Sequence, residues 1–260
     1  MSKTLKRISA GSLELLSLTD RAARRDGPVQ RAAKAKASSE AQRRMNQIYS
    51  VQKLELMLAA NFPTEGSGLV VTLTYDDAHC PKDRRQAVGR FKYFLRLFRA
   101  ARREAGLPEP VVIHCVEVLT SASGRWHHHM VIDSTGRDLE LLRRCWVYGT
   151  EIEAEPLRVD AEKNHETLAR YITKELRECQ EYEAKPGLHG WSCTRNAKKP
   201  ETETLTVPDD YKLQAPEGST VLIDEHKQTE WASWHVIKYR FGAAGFDRPH
   251  RARRRRLRQE

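Results

Sequence analysis

The spacing of apolar residues predicts an alternation of helices and strands over most of the chain. Between residues 42 and 62, apolar side chains recur at helical intervals, which predicts an amphipathic helix. A β-branched run over 68–75 predicts the first clear strand, and a basic segment with regularly spaced phenylalanines over 84–105 predicts a long helix. Strands over 111–119 and 124–132 are separated by a short turn, so they form a predicted hairpin.

Weaker signals extend this pattern towards the C-terminus. We expect a short helix over 139–146, a strand over 152–159 and a helix over 160–182 that Asp160 caps. One strand at 191–196, loop over 201–220 and a last strand at 231–241 complete the prediction. The succession strand, helix, strand, strand, helix, strand describes an α+β fold in which helices pack on a central antiparallel sheet. The arrangement is ferredoxin-like, as in RRM domains, and it places the strand with the histidines in the middle of the sheet.

Shifts in composition divide the chain into four regions. Residues 1–44 are rich in Lys, Arg, Ala and Ser and lack clear apolar periodicity, so we expect a basic, weakly structured and partly helical extension. The helix within 45–66 should dock on the main domain, which we place at 67–245. Residues 246–260 are expected to be a disordered, arginine-rich tail, since 248–260 contain seven arginines and one glutamate.

The positive charge of the chain is concentrated in this tail. The formal net charge is +10, of which seven arginines and one glutamate in the tail supply +6. Such clustering favours an arm that binds the phosphate backbone of nucleic acid over a tail that only aids solubility. No apolar run is long enough to span a bilayer, and no apolar segment follows the basic N-terminal residues, so we expect a cytoplasmic protein with no membrane partner.

Three consecutive histidines lead into the apolar part of the strand predicted at 124–132. Side chains alternate between the faces of a strand, so His127 and His129 share one face, while Trp126 and His128 share the other, more apolar face. The first pair lies side by side and can hold a cation. The alternative is a half-exposed strand that merely carries histidines.

Glu117 on the preceding predicted strand points away from the core, to the same side as His127 and His129. One carboxylate and two imidazoles can converge on a cation and leave coordination positions open, which is typical of a catalytic metal site. Carboxylate and water favour Mg²⁺ or Mn²⁺, while imidazole favours Zn²⁺ and its neighbours. The mixed ligand set favours a divalent ion such as Mn²⁺ or Mg²⁺ over Zn²⁺, since Mn²⁺ accepts both kinds of ligand.

Tyr171 and Lys174 are three residues apart and therefore neighbours on one face of the helix predicted at 160–182. With Leu168 at the centre of the apolar stripe, Tyr171 lies at the boundary between core and solvent. A boundary tyrosine usually packs. Beside a bound cation and a lysine, its hydroxyl can instead attack a phosphate whose charge the cation neutralises. Together these residues indicate phosphodiester transesterification.

These motifs, in this order, resemble those of the rolling-circle replication initiators (Rep proteins) of the HUH endonuclease superfamily. Val70–Tyr75 is similar to the first motif, a strand near the DNA. Gly124–His129 is similar to the HUH metal motif, although its bulky apolar central position is occupied here by His128. Tyr171–Lys174 is similar to the YxxK motif of the phage and plasmid type with a single tyrosine, and Glu117 matches the acidic ligand of many Rep proteins.

The resemblance implies an HUH endonuclease fold and a site-specific nick in single-stranded origin DNA. Tyr171 would form a 5′-phosphotyrosine and release a 3′-OH that primes synthesis, with Lys174 assisting. His127, His129 and Glu117 would be the metal ligands. No GxxxxGK[ST] stretch occurs in the chain, so unwinding would depend on a host helicase and synthesis on a host polymerase.

Position and charge identify a set of basic residues that we expect to contact DNA: Arg125, Arg195, Lys198, Lys199, Arg253, Arg254, Arg255 and Arg256. The basic side of the 84–105 helix is expected to be a solvated face. Two other functions fit parts of the pattern. One is a non-catalytic basic nucleic-acid-binding protein with structural histidines, and the other is an HUH single-strand transposase or relaxase-like nickase. Relaxases carry the tyrosine upstream of the histidines, and such transposases usually lack the lysine three residues after it.

Overall fold

The computed structural model of the chain describes most, but not all, of its residues. The described ranges are 2–21, 40–118, 125–160, 164–173, 190–228 and 232–242. Lys174 and the four arginines 253–256 therefore lie outside the described residues. The chain divides into two compact units, one formed by 35–198 and the other by 1–34 together with 199–260.

Ten strands and four helices are described. In chain order they are β1 (Ser2–Ala10), β2 (Leu13–Arg21), α1 (Glu40–Asn61), β3 (Gly68–Thr74), α2 (Arg84–Glu104), β4 (Val112–Val118), β5 (Trp126–Asp133), α3 (Asp138–Cys145), β6 (Ile152–Pro156), α4 (Glu166–Ile172), β7 (Ser192–Cys193), β8 (Glu201–Pro208), β9 (Ser219–Gln228) and β10 (Ala232–Phe241).

The unit formed by 35–198 is built on an antiparallel sheet with strand order β6-β3-β5-β4-β7. Its first four strands along the chain, β3 to β6, stand in the spatial order fourth, first, third, second. This confirms the predicted α+β fold with a ferredoxin-like central sheet. It also confirms that β5, which carries the three histidines, lies in the middle of the sheet.

Both faces of this sheet are covered by helices. On one face, Phe91, Phe94 and Phe98 of α2 pack with Leu142 of α3 against apolar sheet residues such as Met130. This is the face that receives the even-numbered side chains of β5. On the opposite face, α1 and α4 pack against residues such as Val131, Ile113 and Cys115. The second face is apolar at the Val131 end of β5 and becomes polar towards His127.

The other unit contains a second antiparallel sheet of order β8-β1-β2-β10-β9, with a core that includes Leu16, Leu18 and Tyr239. Two expectations are wrong here. Residues 2–21 form a strand hairpin, although 1–44 were expected to be weakly structured, and 201–208 form β8, although 201–220 were expected to be loop. β1 pairs with β8 along its whole length. Local periodicity did not reveal these strands, because each is stabilised by a partner about two hundred residues away in the chain.

The boundaries around α4 also differ from the sequence-based expectation. The helix begins at Glu166 with His165 as its N-cap, not at Asp160. Asp160 instead accepts a hydrogen bond from the backbone N–H of Asn164 at 2.8 Å, which makes a turn ahead of the helix. The helix is described as far as Ile172, so its predicted extension to 182 lies outside the described residues. The single domain expected over 67–245 corresponds to parts of both compact units.

Candidate functional site

His127 and His129 project from the same face of β5, as strand alternation predicts. Their ring centroids are 6.5 Å apart and the rings are inclined by 20°. Each Nδ1 is hydrogen-bonded to a threonine hydroxyl of β3, His127 to Thr74 at 2.9 Å and His129 to Thr72 at 3.1 Å. The two imidazoles are therefore held in one orientation by a matching pair of hydroxyls.

The register between β3 and β5 creates these two contacts. Thr74 lies directly across from His127, and Thr72 directly across from His129. When the threonine oxygen accepts the hydrogen bond from Nδ1–H, the lone pair of each ring lies on Nε2. That is the tautomer in which a histidine binds a metal ion, with the hydroxyl as its outer partner. Trp146 fixes the β3 end further, since its indole N–H donates to the Thr74 carbonyl at 3.0 Å.

Tyr171 lies over the histidine face of the sheet. α4 buries Ala169 and Ile172 against α1, and His165 donates from Nε2 to the Phe62 carbonyl at 2.7 Å, which fixes the start of the helix. The next position, Tyr171, is left 58% exposed. Its ring centroid lies 5.7 Å from that of His129, with an interplanar angle of 72°. The structure thus brings together an accessible phenol and the histidine pair.

Glu117 stands directly across from His127 in the pairing of β4 with β5. Its backbone is therefore in the expected place, while its side chain lies outside the described part of the structure. Among the described residues there is no group of three or more His, Cys, Asp or Glu side chains that could hold a metal ion. The donor set that is described, two imidazoles with fixed tautomers, suits a metal that takes further ligands, and Glu117 is the residue whose position provides one.

His128 faces the opposite side of the sheet and is fully buried. Its Nε2 is hydrogen-bonded to the Tyr75 hydroxyl at 2.8 Å, and its Nδ1 to Nε2 of His114 at 3.2 Å. His114 in turn is bonded to the Ser192 hydroxyl at 3.1 Å and stacks on Phe91 with ring centroids 3.5 Å apart. This chain of contacts explains a histidine at a position that is usually apolar, because every polar atom of its ring is satisfied in the core.

The two core histidines are held in the neutral form. Burial lowers the pKa of His114 to about 3, with smaller contributions from the nearby Arg84 and His129. Burial also lowers the pKa of His128 well below its usual value, and the neighbouring imidazoles add to the effect. Loss of solvation is the main cause for both, because a charged imidazole in this core would lose most of its hydration.

We predict that acid destabilises the protein through these buried histidines. The unfolded chain binds a proton on His114 near pH 6.5, whereas the folded protein binds it near pH 3. The stabilising contribution of the neutral ring is therefore complete above about pH 6.5 and is lost as the pH falls below it, at about 1.4 kcal/mol per pH unit for each such histidine. Urea unfolding between about pH 7.5 and 5 should show this slope, and His114→Gln should flatten it. An equally steep slope in the variant would contradict the assignment.

The basic residues expected to contact DNA are exposed wherever they are described. Arg125, at the start of β5, forms an ion pair with Asp77 at 2.8 Å. Arg195, Lys198 and Lys199 follow β7 and have exposed side chains. The backbone N–H of Lys198 donates to the Asn61 side chain at 2.8 Å, which fixes the chain beside the end of α1.

An exposed phenol against two histidines with fixed tautomers, on one face of a ferredoxin-like sheet, is an arrangement suited to phosphate chemistry. Residues 68–176 match the family model described as replication-associated protein ORF2. The match indicates a DNA replication initiator of the Rep type. No curated protein and no solved structure matches the chain.

The segment that matches the replication-associated family contains β3, the histidine strand and Tyr171, and it ends after Lys174. It covers less than half of the chain and includes none of the strands of the second sheet. A replication initiator acts on DNA, which agrees with the basic composition. No helix in the described ranges is both long and apolar enough to cross a membrane.

Sequence reasoning missed the two threonines that orient the histidines. Strand alternation places Thr72 and Thr74 on one face of β3, and that signal was available in the sequence. Their partners were not, because the hydrogen bonds join residues 57 and 53 positions apart in the chain. The bond between Tyr75 and His128 was missed for the same reason.

Proposed function

We propose that this protein is a rolling-circle replication initiator of the HUH type, a site-specific endonuclease that nicks and rejoins single-stranded origin DNA. The observation that carries the proposal is the position of Tyr171, 58% exposed and with its ring 5.7 Å from His129. A tyrosine that served only packing would bury its ring. This one presents a hydroxyl to solvent beside the two histidines whose Nε2 atoms suit metal binding.

The proposed reaction exchanges one phosphodiester for another. The Tyr171 oxygen attacks the scissile phosphorus, a bond from phosphorus to the phenolic oxygen forms, and the bond from phosphorus to the 3′ oxygen breaks. The phenolic proton leaves, and the departing 3′ oxygen takes up a proton to become a 3′-OH. The products are a 5′-phosphotyrosine and a primer end. Attack of a 3′-OH on the phosphotyrosine reverses the exchange, which accounts for rejoining without an external energy source.

The proposed metal ligands are His127 and His129, together with Glu117. A bound divalent ion, Mn²⁺ or Mg²⁺, would neutralise charge on the phosphate. Thr72 and Thr74 keep the two imidazoles in the tautomer that such binding requires. The contact between Tyr171 and His129 keeps the nucleophile next to the same position.

Further parts of the proposal rest on residues outside the described ranges or on the expected partners. Lys174, three residues after Tyr171, is proposed to assist at the phosphate. Arg125, Arg195, Lys198 and Lys199 are proposed to bind the DNA backbone, together with the arginines 253–256 of the tail. The protein would act in the cytoplasm with a host helicase and a host polymerase.

We predict that the threonines set the metal requirement. In Thr72→Val with Thr74→Val, the shape is kept and the hydroxyl partners of both histidines are lost. The Mn²⁺ concentration for half-maximal nicking should rise by about 10- to 100-fold, since loss of such outer partners weakens metal binding by that factor. Nicking at saturating Mn²⁺ should persist. Thr64→Val, at an exposed turn, is the control. An unchanged Mn²⁺ requirement in the double variant would show that these threonines do not orient the ligands.

The function is tested with a pool of single-stranded oligonucleotides that have a randomised centre and a labelled 3′ end. A nickase transfers the labelled fragment to protein, and the adduct survives denaturing electrophoresis. The adduct should require Mn²⁺ or Mg²⁺, and sequencing the captured DNA should identify the origin. Salt-sensitive binding of the pool with no adduct under either metal would instead support a non-catalytic nucleic-acid-binding protein.

A further inference from the structure

The exposed side of α2 is a row of cations of one sign. The helix contains eight basic residues and one acidic residue, Glu104, which pairs with Arg144 at 3.3 Å. Four basic side chains are exposed and lie directly opposite the buried phenylalanines: Arg85, Lys92, Arg96 and Arg103. Their separations of 7, 11 and 18 residues from the first correspond to nearly whole numbers of turns. The row therefore runs straight along the helix for about 27 Å.

This row is unfavourable for the helix itself. Arg85 lies in the first turn, where the helix dipole disfavours positive charge, and that turn contains no acidic residue. Lys92 and Arg96 are like charges at i and i+4, which destabilises a helix. A surface that serves only solubility usually mixes both signs. The sequence retains an arrangement that costs stability, which points to a polyanion that the row binds.

Gly89 interrupts the row between Arg85 and Lys92. A glycine inside a helix destabilises it by roughly 0.5–1 kcal/mol relative to alanine. Internal packing does not require this glycine, because a Cβ added there would meet no atom within 4 Å. A gap in the side chains at this point would let the backbone of a ligand approach the helix closely. The glycine and the charges thus point to the same surface.

Aromatic rings flank the row on one side. Tyr93 is 42% exposed, and the Arg96 guanidinium lies 4.9 Å from its ring centroid. Tyr148 lies next to it with ring centroids 6.5 Å apart, and Arg90 lies 5.2 Å from the Tyr148 ring. Exposed rings beside cations are the features on which unpaired bases stack in single-strand-binding proteins.

We propose that this α2 surface, formed by the four-residue row, Gly89 and Tyr93, binds single-stranded DNA. It lies on the face of the sheet opposite to Tyr171, because α2 packs on the side that buries His128. It is therefore a second contact for the strand, separate from the proposed nicking site. The inference rests on the proposed function only for the purpose of the contact, to hold DNA that flanks the nick. This corrects the expectation that the basic side of this helix is merely solvated.

The binding test uses the full chain with Tyr171→Phe and no divalent metal, so that its outcome does not depend on cleavage. A fluorescent oligothymidylate is titrated between about 50 and 200 mM salt. A row variant neutralises the four cations with Arg85→Gln, Lys92→Gln, Arg96→Gln and Arg103→Gln. A control variant neutralises four other exposed cations of the same unit with Lys53→Gln, Arg137→Gln, Arg143→Gln and Arg158→Gln.

The row variant should bind at least about tenfold more weakly, and the magnitude of its salt slope should fall by about 3, since each neutralised phosphate of a single strand contributes roughly 0.7. The control should stay within about twofold of the parent. Tyr93→Ala should weaken binding by about tenfold. Equal losses in the row and control variants, or no loss in either, would overturn the proposal. A duplex that binds more tightly than the oligothymidylate and depends equally on the row would exclude the single strand as the occupant.

Gly89 provides an independent check that a purely structural role would not pass. Gly89→Ala and Gly89→Leu should both raise the melting temperature, because each replaces glycine in an open helical position. Gly89→Leu should weaken oligothymidylate binding by about tenfold, by occupying the gap, while Gly89→Ala should keep most of the affinity. Unaltered binding in Gly89→Leu would contradict a close approach of DNA. If the row and glycine variants behave as expected but no adduct forms in the wild type, the proposed nicking function fails and the second DNA surface stands.

Discussion

Replacing Tyr171 by phenylalanine is expected to abolish the covalent adduct between protein and DNA. The variant keeps the ring that contacts His129 and removes only the attacking oxygen. Loss of a nucleophile costs catalysis far more than loss of a packing contact, so adduct formation should fall by roughly a thousandfold or more. The measurement is the labelled adduct on a denaturing gel at saturating Mn²⁺. Thermal unfolding should be unchanged, because the side chain is 58% exposed.

The matched control is Tyr49→Phe, since Tyr49 of α1 is 52% exposed and lies in a helix of the same unit. It should form the adduct at the wild-type rate. An undiminished adduct in Tyr171→Phe would place the nucleophile elsewhere. Tyr148 and Tyr182 would then be the residues to replace next, ahead of Tyr75, which is 1% exposed and hydrogen-bonded to His128.

The double variant His127→Ala with His129→Ala is expected to remove metal-dependent nicking. Both proposed imidazole ligands are lost, and Glu117 alone would hold a divalent ion weakly. Adduct formation at about 1 mM Mn²⁺ should fall by at least a hundredfold. Calorimetric titration should no longer detect Mn²⁺ binding. Binding of oligothymidylate in the absence of metal should be kept, because the α2 surface is on the other side of the sheet.

A double variant with two histidines outside the site, His79→Ala with His226→Ala, is the control for this result. It should leave both Mn²⁺ binding and adduct formation within about twofold of the wild type. If the His127 and His129 variant nicked DNA with a normal Mn²⁺ requirement, the two histidines would be structural and the metal site would have to be sought elsewhere.

The central sheet could be predicted because its signals are local. The β4–β5 hairpin follows from two apolar runs joined by a short turn, and alternation alone separated His127 and His129 from His128. The strands of the second sheet gave no comparable signal. β1 pairs with β8, which lies about two hundred residues later in the chain, and its lysines and threonines obscure the alternation.

The site was predictable in part for the same reason. Residue types and spacing were enough to select Tyr171 and the histidine pair as parts of one site. The structure then placed the phenol beside His129 on the face where the pair projects. Spacing could not reveal that Thr72 and Thr74 hold the imidazoles, because that depends on the register between β3 and β5. It also could not show that the basic residues of α2 form one straight row with a gap at Gly89.

The most direct measurement of the central claim is mass spectrometry of the wild-type adduct. The adduct formed with Mn²⁺ is isolated, digested with nuclease and trypsin, and the peptide that retains a 5′-phosphonucleotide is sequenced. The proposed mechanism predicts that the modification lies on Tyr171 and that the released DNA strand ends in a 3′-OH. A modification on any other residue, or a released strand that ends in a 3′-phosphate, would contradict it.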